Sequence, residues 1–491
     1  MYEGMRRFAR DVGFSFASLA ISALVHFVLR VFIGSYLGDS KLGLYTLSFT
    51  VYSLGMLFGA FGIGAALTKY VAELREDVPR TRGLLTSGVI ESFFLGCIIA
   101  LVFYAAAPAI ANRFFHMPEL AGLLRIVSIA FPFIAVEKAT LGFLNGLRQM
   151  RLFAIINISQ NVLMVGITIT LVLLGHGLTG AAWGLVLPVV ILGLFSLWTV
   201  RQSLARPELS SFLAASRLLL GFGGFVVLAN GIGLMQSYTD SVMIGFFMKD
   251  VDVGVYAAAV TLSQAVLLPS QAMQMITGPA IATLWGKGDR PGIEKMVNDT
   301  LVLTVGFIMP VAFAAIMLAP DLLRIIFPDE FLPAADSLRI LLVGSAFMAV
   351  WASIGSALSS TAYVRVIFLL SATSWAANIL LNALLIPHLG IEGAAAATSA
   401  ALVLGTVLQL YATQRLVGIR MRWGWLCTVT VFILLLGGGC YALSRVTSPY
   451  ACLAIFLVLF AAVYVRFFLG KEQLDLLKGL VRRVHGPGPE V

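Results

Sequence analysis

Charge is what this sequence most lacks. Asp, Glu, Lys and Arg make up 12% of its 491 residues, where an ordinary soluble domain carries about 25%. A water-exposed domain of any size is excluded, because the polar interruptions between spans, such as 69–85 and 283–298, are under 20 residues. Cysteine is also scarce. Cys97, Cys427, Cys440 and Cys452 lie within or at the edge of apolar runs, with no CxxC and no Cys/His cluster. That excludes a disulfide framework and a metal site, and the four read as small packing residues. No nucleotide-binding motif is present, so the chain is not an ATPase by itself. No RNA- or DNA-binding motif accompanies the net charge of +9 and pI near 9.5. Nucleic acid is therefore not the expected partner; basic residues collect in the cytoplasmic loops of membrane proteins.

What is present is apolar sequence. Hydrophobic residues make up 59% of the chain and mean hydropathy is +0.96. Fourteen spans follow, at 13–34, 44–68, 86–108, 122–144, 153–175, 179–200, 219–245, 254–282, 297–319, 335–360, 364–387, 391–413, 424–443 and 449–468. Each is close to the ~20 residues needed to cross a bilayer as a helix. Helices are expected because lipid offers no water to satisfy the backbone; barrel strands would read as short alternating segments. The first run follows RRFAR but is too long for a signal core and carries His26 and Arg30, so it is expected to be a retained helix.

The basic residues orient the chain. With the N-terminus in the cytoplasm, 24 of the 33 Lys and Arg fall in inside segments, 5 in outside loops and 4 (Arg30, Arg125, Lys138, Arg339) within spans. This asymmetry places both termini in the cytoplasm and requires an even number of spans.

The sequence also repeats itself. LGDSKLGLYTLSFTVYSLG at 37–55 is echoed by MKDVDVGVYAAAVTLSQAV at 248–266, aligning Gly43 with Gly254 and Tyr45 with Tyr256 at an offset of 211. LGHGLTGAAWG at 174–184 resembles PHLGIEGAAAA at 387–397, with Gly177 and Gly390 at an offset of 213, and Arg125 and Arg339 are 214 apart. The expected fold is an all-α integral membrane protein of about 14 transmembrane helices. It has two pseudo-symmetric six-helix lobes, 1–212 and 213–418, with appended helices over 419–470 and a cytoplasmic amphipathic tail over 471–491. Parallel repeats of this kind put the substrate site between halves. At each lobe's second-span entry, the tyrosine suits an aromatic belt and the glycine a turn or close helix approach.

Two six-span lobes, the GLY and GVY entries, a basic loop after each second span and the G-L-x-G-A-A entry to the sixth span resemble the multidrug/oligosaccharidyl-lipid/polysaccharide (MOP) exporter superfamily. Within it, the 14-span count is similar to the polysaccharide-transporter and oligosaccharide flippase (Wzx-like) branch, where drug antiporters typically have 12. The resemblance covers roughly residues 5–465. It implies alternating access about a cavity between lobes and transbilayer movement of a polyprenyl-diphosphate-linked glycan, with membrane lipids and glycan polymerase or assembly proteins as further partners. It implies no enzymatic activity, no catalytic residue and no cofactor beyond coupling to a proton or sodium gradient, in the cytoplasmic membrane.

A carrier of lipid diphosphate needs positive charge for the diphosphate and polar groups for sugars, and intramembrane ionisable residues are the first candidates. Arg30 either grips phosphate through its guanidinium fork or snorkels or pairs with an acid. Asp240 is one position from Arg30's repeat counterpart and is a gate partner or ion-coupling candidate. His26, one turn before Arg30, either shares its helix face as an anion site or packs against a neighbouring helix. Lys138 greets a diphosphate, or Glu137 and Lys138 pair locally or with neighbours. Glu91 is expected to pair with a loop arginine. Arg125 and Arg339, being repeat-equivalent, read as architecture. Asn230, Gln236, Gln264 and Gln271 suit sugar hydroxyls, though amides also join helices, for about 0.6 kcal/mol. Asn157, Gln160 and Asn161 form a further stripe; Asn378 and Asn382 read as packing. The alternatives to a flippase are a cation-coupled multidrug antiporter of the same superfamily, for which Asp240 is the buried acid, and a membrane glycosyl polymerase or ligase. The latter would need a sizeable outside loop with paired acids, Arg or His; the loop around 320–334 has acids but no His.

Overall fold

The computed structural model describes residues 21–206, 209–361 and 363–470. The start of the first apolar run and the tail at 471–491 lie outside the described residues. In chain order the helices are α1 (Ile21–Leu37), α2 (Asp39–Ala60), α3 (Ile63–Glu73), α4 (Val78–Ala109), α5 (Glu119–Ser128), α6 (Phe131–Gly146), α7 (Met150–Leu171), α8 (Gly177–Val200), α9 (Leu209–Phe247), α10 (Asp250–Gln264), α11 (Leu268–Gly286), α12 (Arg290–Met317), α13 (Ala319–Ile326), α14 (Ala334–Ser359), α15 (Val364–Ala412), α16 (Trp423–Leu443) and α17 (Pro449–Val463). No strand occurs among the described residues.

Among the described residues, eleven helical runs are long and apolar enough to cross a bilayer, and the shorter α1 makes a twelfth. Two of the eleven, Met150–Ser203 and Arg365–Gly418, are 54 residues long. At 1.5 Å per residue each would extend about 80 Å against a hydrocarbon core of about 30 Å. Each is two spans folded back at a glycine, which brings the count to the fourteen read from the sequence. The turning residues are the aligned pair Gly177 (φ 50°, ψ −135°) and Gly390 (φ 61°, ψ −137°). Side chains strongly disfavour that backbone region, so the repeat carries the same turn twice.

A second device recurs at an offset of 212. Asp77 accepts from the Arg80 amide at 3.1 Å and Asp289 from the Gly292 amide at 2.9 Å, capping α4 and α12. Pro79 and Pro291 occupy the first turns, where a missing N–H costs nothing.

Two spans are less regular than their apolar runs suggest. The second breaks between α2 and α3 at Phe61 and Gly62, both left-handed with φ of 42° and 67°. The fourth breaks between α5 and α6, where Pro132 takes an early position in α6 and supplies no N–H to the turn before it.

The chain forms two compact units. Unit 1 is Met1–Ala258 with Ile326–Phe331 and Ile386–Ile391; unit 2 is Ala259–Ile325, Leu332–Leu385 and Glu392–Val491. In unit 1, Ile63, Leu67, Leu85, Phe143, Ile156 and Leu219 pack α3, α4, α6, α7 and α9 into one core. There the opening motif finds its reason. A Cβ on Gly43 would lie 1.9 Å from the Asp250 carbonyl oxygen, and one on Gly254 would lie 1.9 Å from that of Asp39. The aligned glycines form a reciprocal crossing of α2 and the start of α10 that admits no side chain at either position. The tyrosines do not form an aromatic belt as expected: Tyr45 is 3% and Tyr256 0% exposed, each turned inward beside that crossing.

In unit 2 the last two spans are held by α12. Phe313 stacks on Phe456 at 3.8 Å, and the Tyr464 hydroxyl donates to the Val302 carbonyl at 2.5 Å. Large apolar residues left exposed on spanning helices, such as Phe94, Leu101, Leu228 and Leu435, suit contact with acyl chains rather than water.

Candidate functional site

The sequence candidates Lys138 and Asn230 meet in unit 1. They line a cavity of about 320 Å³ together with Thr68, Asn145, Phe153 and Asn157. The cavity is bounded by α2, α3, α6, α7 and α9, beside the start of α3 and near the end of α6 that leads to Arg148 and Arg151. Close backbone approach shapes it: a Cβ on Gly142 would lie 2.1 Å from the Gly64 carbonyl oxygen, so α3 and α6 touch beside Lys138. Thr68 Oγ1 donates to the carbonyls of Gly64 and Gly142 at 3.0 and 3.1 Å. Asn157 Nδ2 donates to the Phe153 carbonyl at 3.0 Å, leaving its Oδ1 as an acceptor for the cavity. One cation among three carboxamides can hold an anionic group and hydrogen-bond to hydroxyls around it.

Glu137 takes no part. Neighbouring residues on a helix point about 100° apart, and Glu137 is 0% exposed with neither carboxylate oxygen hydrogen-bonded among the described residues. The expected local pairing with Lys138 is not formed. Glu91 also departs from expectation: it accepts from the Ser216 hydroxyl instead of an arginine.

A second polar group lies further along α2, α7 and α9 and takes in α1 and α10. His26 Nδ1 is 2.7 Å from the Ser22 carbonyl oxygen. A carbonyl only accepts, so Nδ1 carries the proton and Nε2 faces onward. Ser22 Oγ donates to Asn161 Oδ1 at 3.2 Å, and Asn161 Nδ2 donates to the Asn157 carbonyl at 2.8 Å. The His26 ring meets Phe49 edge-on at 5.4 Å, Phe49 meets Tyr238 at 6.3 Å, and Ser53 Oγ is 3.1 Å from the Tyr238 hydroxyl. The Tyr45 hydroxyl is buried without a hydrogen-bond partner among the described residues; Arg30 and Tyr238 are close enough to act on it electrostatically. Tyr256 donates to Asp240 at 2.7 Å.

The remaining amides are distributed over both units. Gln236 is half-buried on α9; Gln264 is exposed at the end of α10 and Gln271 half-buried on α11, both in unit 2. Asn378 donates to Thr398 at 2.8 Å and accepts from Asn382 at 3.2 Å, joining the two halves of α15 as packing residues. Arg339 pairs with Asp336 at 2.6 Å and reaches the Ile316 carbonyl at 3.4 Å. Sequence reasoning did not single out Phe49, Tyr238 or Asn145. The available signal was positional: Tyr238 is eight residues beyond Asn230 and shares its helix face.

Residues 8–285 match the polysaccharide biosynthesis protein family. The chain belongs to that family. A second match, to MatE, covers residues 226–384. Both matches fall within the superfamily that the repeat motifs resemble. Among curated proteins, it is 23% identical over 455 residues to "Probable low-salt glycan biosynthesis flippase Agl15" of Haloferax volcanii, covering 92% of this chain and 93% of the relative. Among solved structures, it is similar to "Lipid II flippase MurJ, inward closed conformation", with a TM-score of 0.74, 16% identity and 92% and 98% of the two chains covered. It is also similar to "Inward-facing conformation of a multidrug resistance MATE family transporter of the MOP superfamily", with a TM-score of 0.61, 17% identity and 81% and 94% covered. At these identities the structures establish a shared fold, and the protein is a multi-pass membrane protein of that fold.

Proposed function

We propose that this protein is a flippase that carries a polyprenyl-diphosphate-linked oligosaccharide or polysaccharide unit across the cytoplasmic membrane by alternating access. The observation that carries the reading is the cavity of Lys138, Asn145, Asn157 and Asn230 in unit 1, a cation among carboxamides within a chain otherwise built for lipid. Such a site matches the two polar parts of the cargo, while the polyprenyl tail stays in the bilayer. Membership of the polysaccharide biosynthesis family and the flippase-named relative support it. In this reading both termini are cytoplasmic and the lobes are residues 1–212 and 213–418. The chemistry on the glycan is done by separate assembly enzymes, and a proton or sodium gradient drives the cycle.

The competing reading is a cation-coupled multidrug antiporter, favoured by the MatE match over 226–384 and the buried Asp240 held by Tyr256. Reconstitution separates them. Proteoliposomes with fluorescent polyprenyl-diphosphate glycans in one leaflet should deliver them to the other. Absence of flipping for every glycan lipid, with gradient-driven efflux of a cationic dye, would move the protein to the antiporter class.

A further inference from the structure

We propose that unit 1 holds a two-station relay for the lipid diphosphate, in which Lys138 captures the group and Arg30 receives it. The inference rests on the flippase reading and adds an order of events to it. Four helices carry the polar groups from one station to the other. On α7, Asn157 lines the Lys138 cavity, and Asn161, one turn on, is tied to Ser22 of α1. On α1, His26 follows Ser22 by one turn and Arg30 follows His26 by another. On α2, Met56 and Leu57 line the cavity, Ser53 and Phe49 lie beyond it, and Tyr45 ends the row. On α9, Asn230 lines the cavity and Tyr238 sits beside Ser53 and Phe49.

The spacing makes these stations successive. Eight residues of helix separate Asn230 from Tyr238, about 12 Å of rise, and Arg30 lies one turn beyond the His26 that contacts Phe49. A diphosphate, two tetrahedral centres joined by one oxygen, is shorter than that gap. It engages the two cations in turn, with the side chains of Asn161 and His26 between them.

The second station has its own vacant donor. The Tyr45 hydroxyl, 3% exposed, has no partner among the described residues, and a buried unpaired hydroxyl is unfavourable unless a ligand completes it. Arg30 supplies the charge and Tyr45 a neutral O–H, which together suit a phosphate oxygen.

The test uses the full-length protein and a fluorescent farnesyl diphosphate without glycan. Binding is measured in nanodiscs and flipping in proteoliposomes. Lys138→Ala should weaken binding by about tenfold or more, the scale of one charge-assisted contact, and Lys138→Arg should restore it. Arg30→Ala should leave binding within about twofold, since capture is elsewhere, yet slow flipping about tenfold or more. Arg30→Gln serves if the alanine variant fails to fold, and Tyr45→Phe should slow flipping without weakening capture. Equal loss of binding in the Lys138 and Arg30 variants would show one joint site and overturn the relay. Unchanged flipping without Arg30 would overturn it equally. Both results leave the flippase reading intact, whereas a wild-type protein that neither binds nor flips this probe or any glycan lipid removes both.

Discussion

The reciprocal crossing of α2 and α10 gives the sharpest energetic test of the repeat. In Gly43→Ala the new Cβ would sit 1.9 Å from the Asp250 oxygen, where real Cβ contacts essentially never fall below 3.0 Å. The helices must therefore part by about 1.1 Å, and the obstacle is backbone, which has no rotamer to yield. Overpacking of this kind costs about 1–3 kcal/mol. Gly254→Ala poses the same problem from the other side, 1.9 Å from Asp39. Because one separation relieves both clashes, the double variant should cost clearly less than the sum of the singles, by about 1 kcal/mol or more. Gly166→Ala is the control: nothing lies within 4 Å of its Cβ, and alanine in a helix interior should gain about 0.5–1 kcal/mol. Unfolding in mixed micelles, followed by tryptophan fluorescence, measures all four. Additive losses at Gly43 and Gly254, or none, would refute the crossing geometry.

Three further outcomes follow from repeated or buried contacts. Asp77→Ala and Asp289→Ala should each lower stability by about 1 kcal/mol, adding in the double variant, because each removes an independent N-cap; the same unfolding assay reads this. Gly177→Ala and Gly390→Ala should each cost about 1–3 kcal/mol, since both glycines occupy a backbone region closed to side chains; equal stability to wild type would contradict the turn. Tyr256→Phe strips the hydroxyl from buried Asp240 and should cost about 1–3 kcal/mol, with Asp240→Asn narrowing the loss in a double-mutant cycle.

Much of this fold was legible in the sequence because lipid removes alternatives. A backbone that must satisfy itself can only be helix, so apolar length alone located fourteen spans. The glycine repeat was legible too, and its cause is now physical: Gly43 and Gly254 mark a contact, while Gly177 and Gly390 mark a turn. Illegible were the breaks at Phe61–Gly62 and Ile129–Ala130, where hydropathy runs on unbroken while the backbone changes direction. The tyrosines of the motif were misplaced because an aromatic near a span end reads the same whether it faces headgroups or, as Tyr256 does, a buried carboxylate. For the site, charge within a span singled out Lys138 and Arg30. Part of their company was not visible: Phe49 and Tyr238 come from other helices, and no period within one helix reports a neighbour from another, whereas Asn145 follows Lys138 on α6 itself and shares its face. Glu137 shows the converse. Its position beside Lys138 suggested a pair, but adjacent residues on a helix diverge, and only Lys138 lines the cavity while Glu137 is buried away from it.

The measurement that bears most directly on the central claim is glycan-lipid flipping by the purified protein in proteoliposomes. A fluorescent polyprenyl-diphosphate glycan is placed in one leaflet, and its arrival in the other is followed beside efflux of a cationic dye from the same vesicles. The account expects protein-dependent flipping that falls with Lys138→Ala and no efflux of the dye. Dye efflux without flipping of any glycan lipid would contradict it.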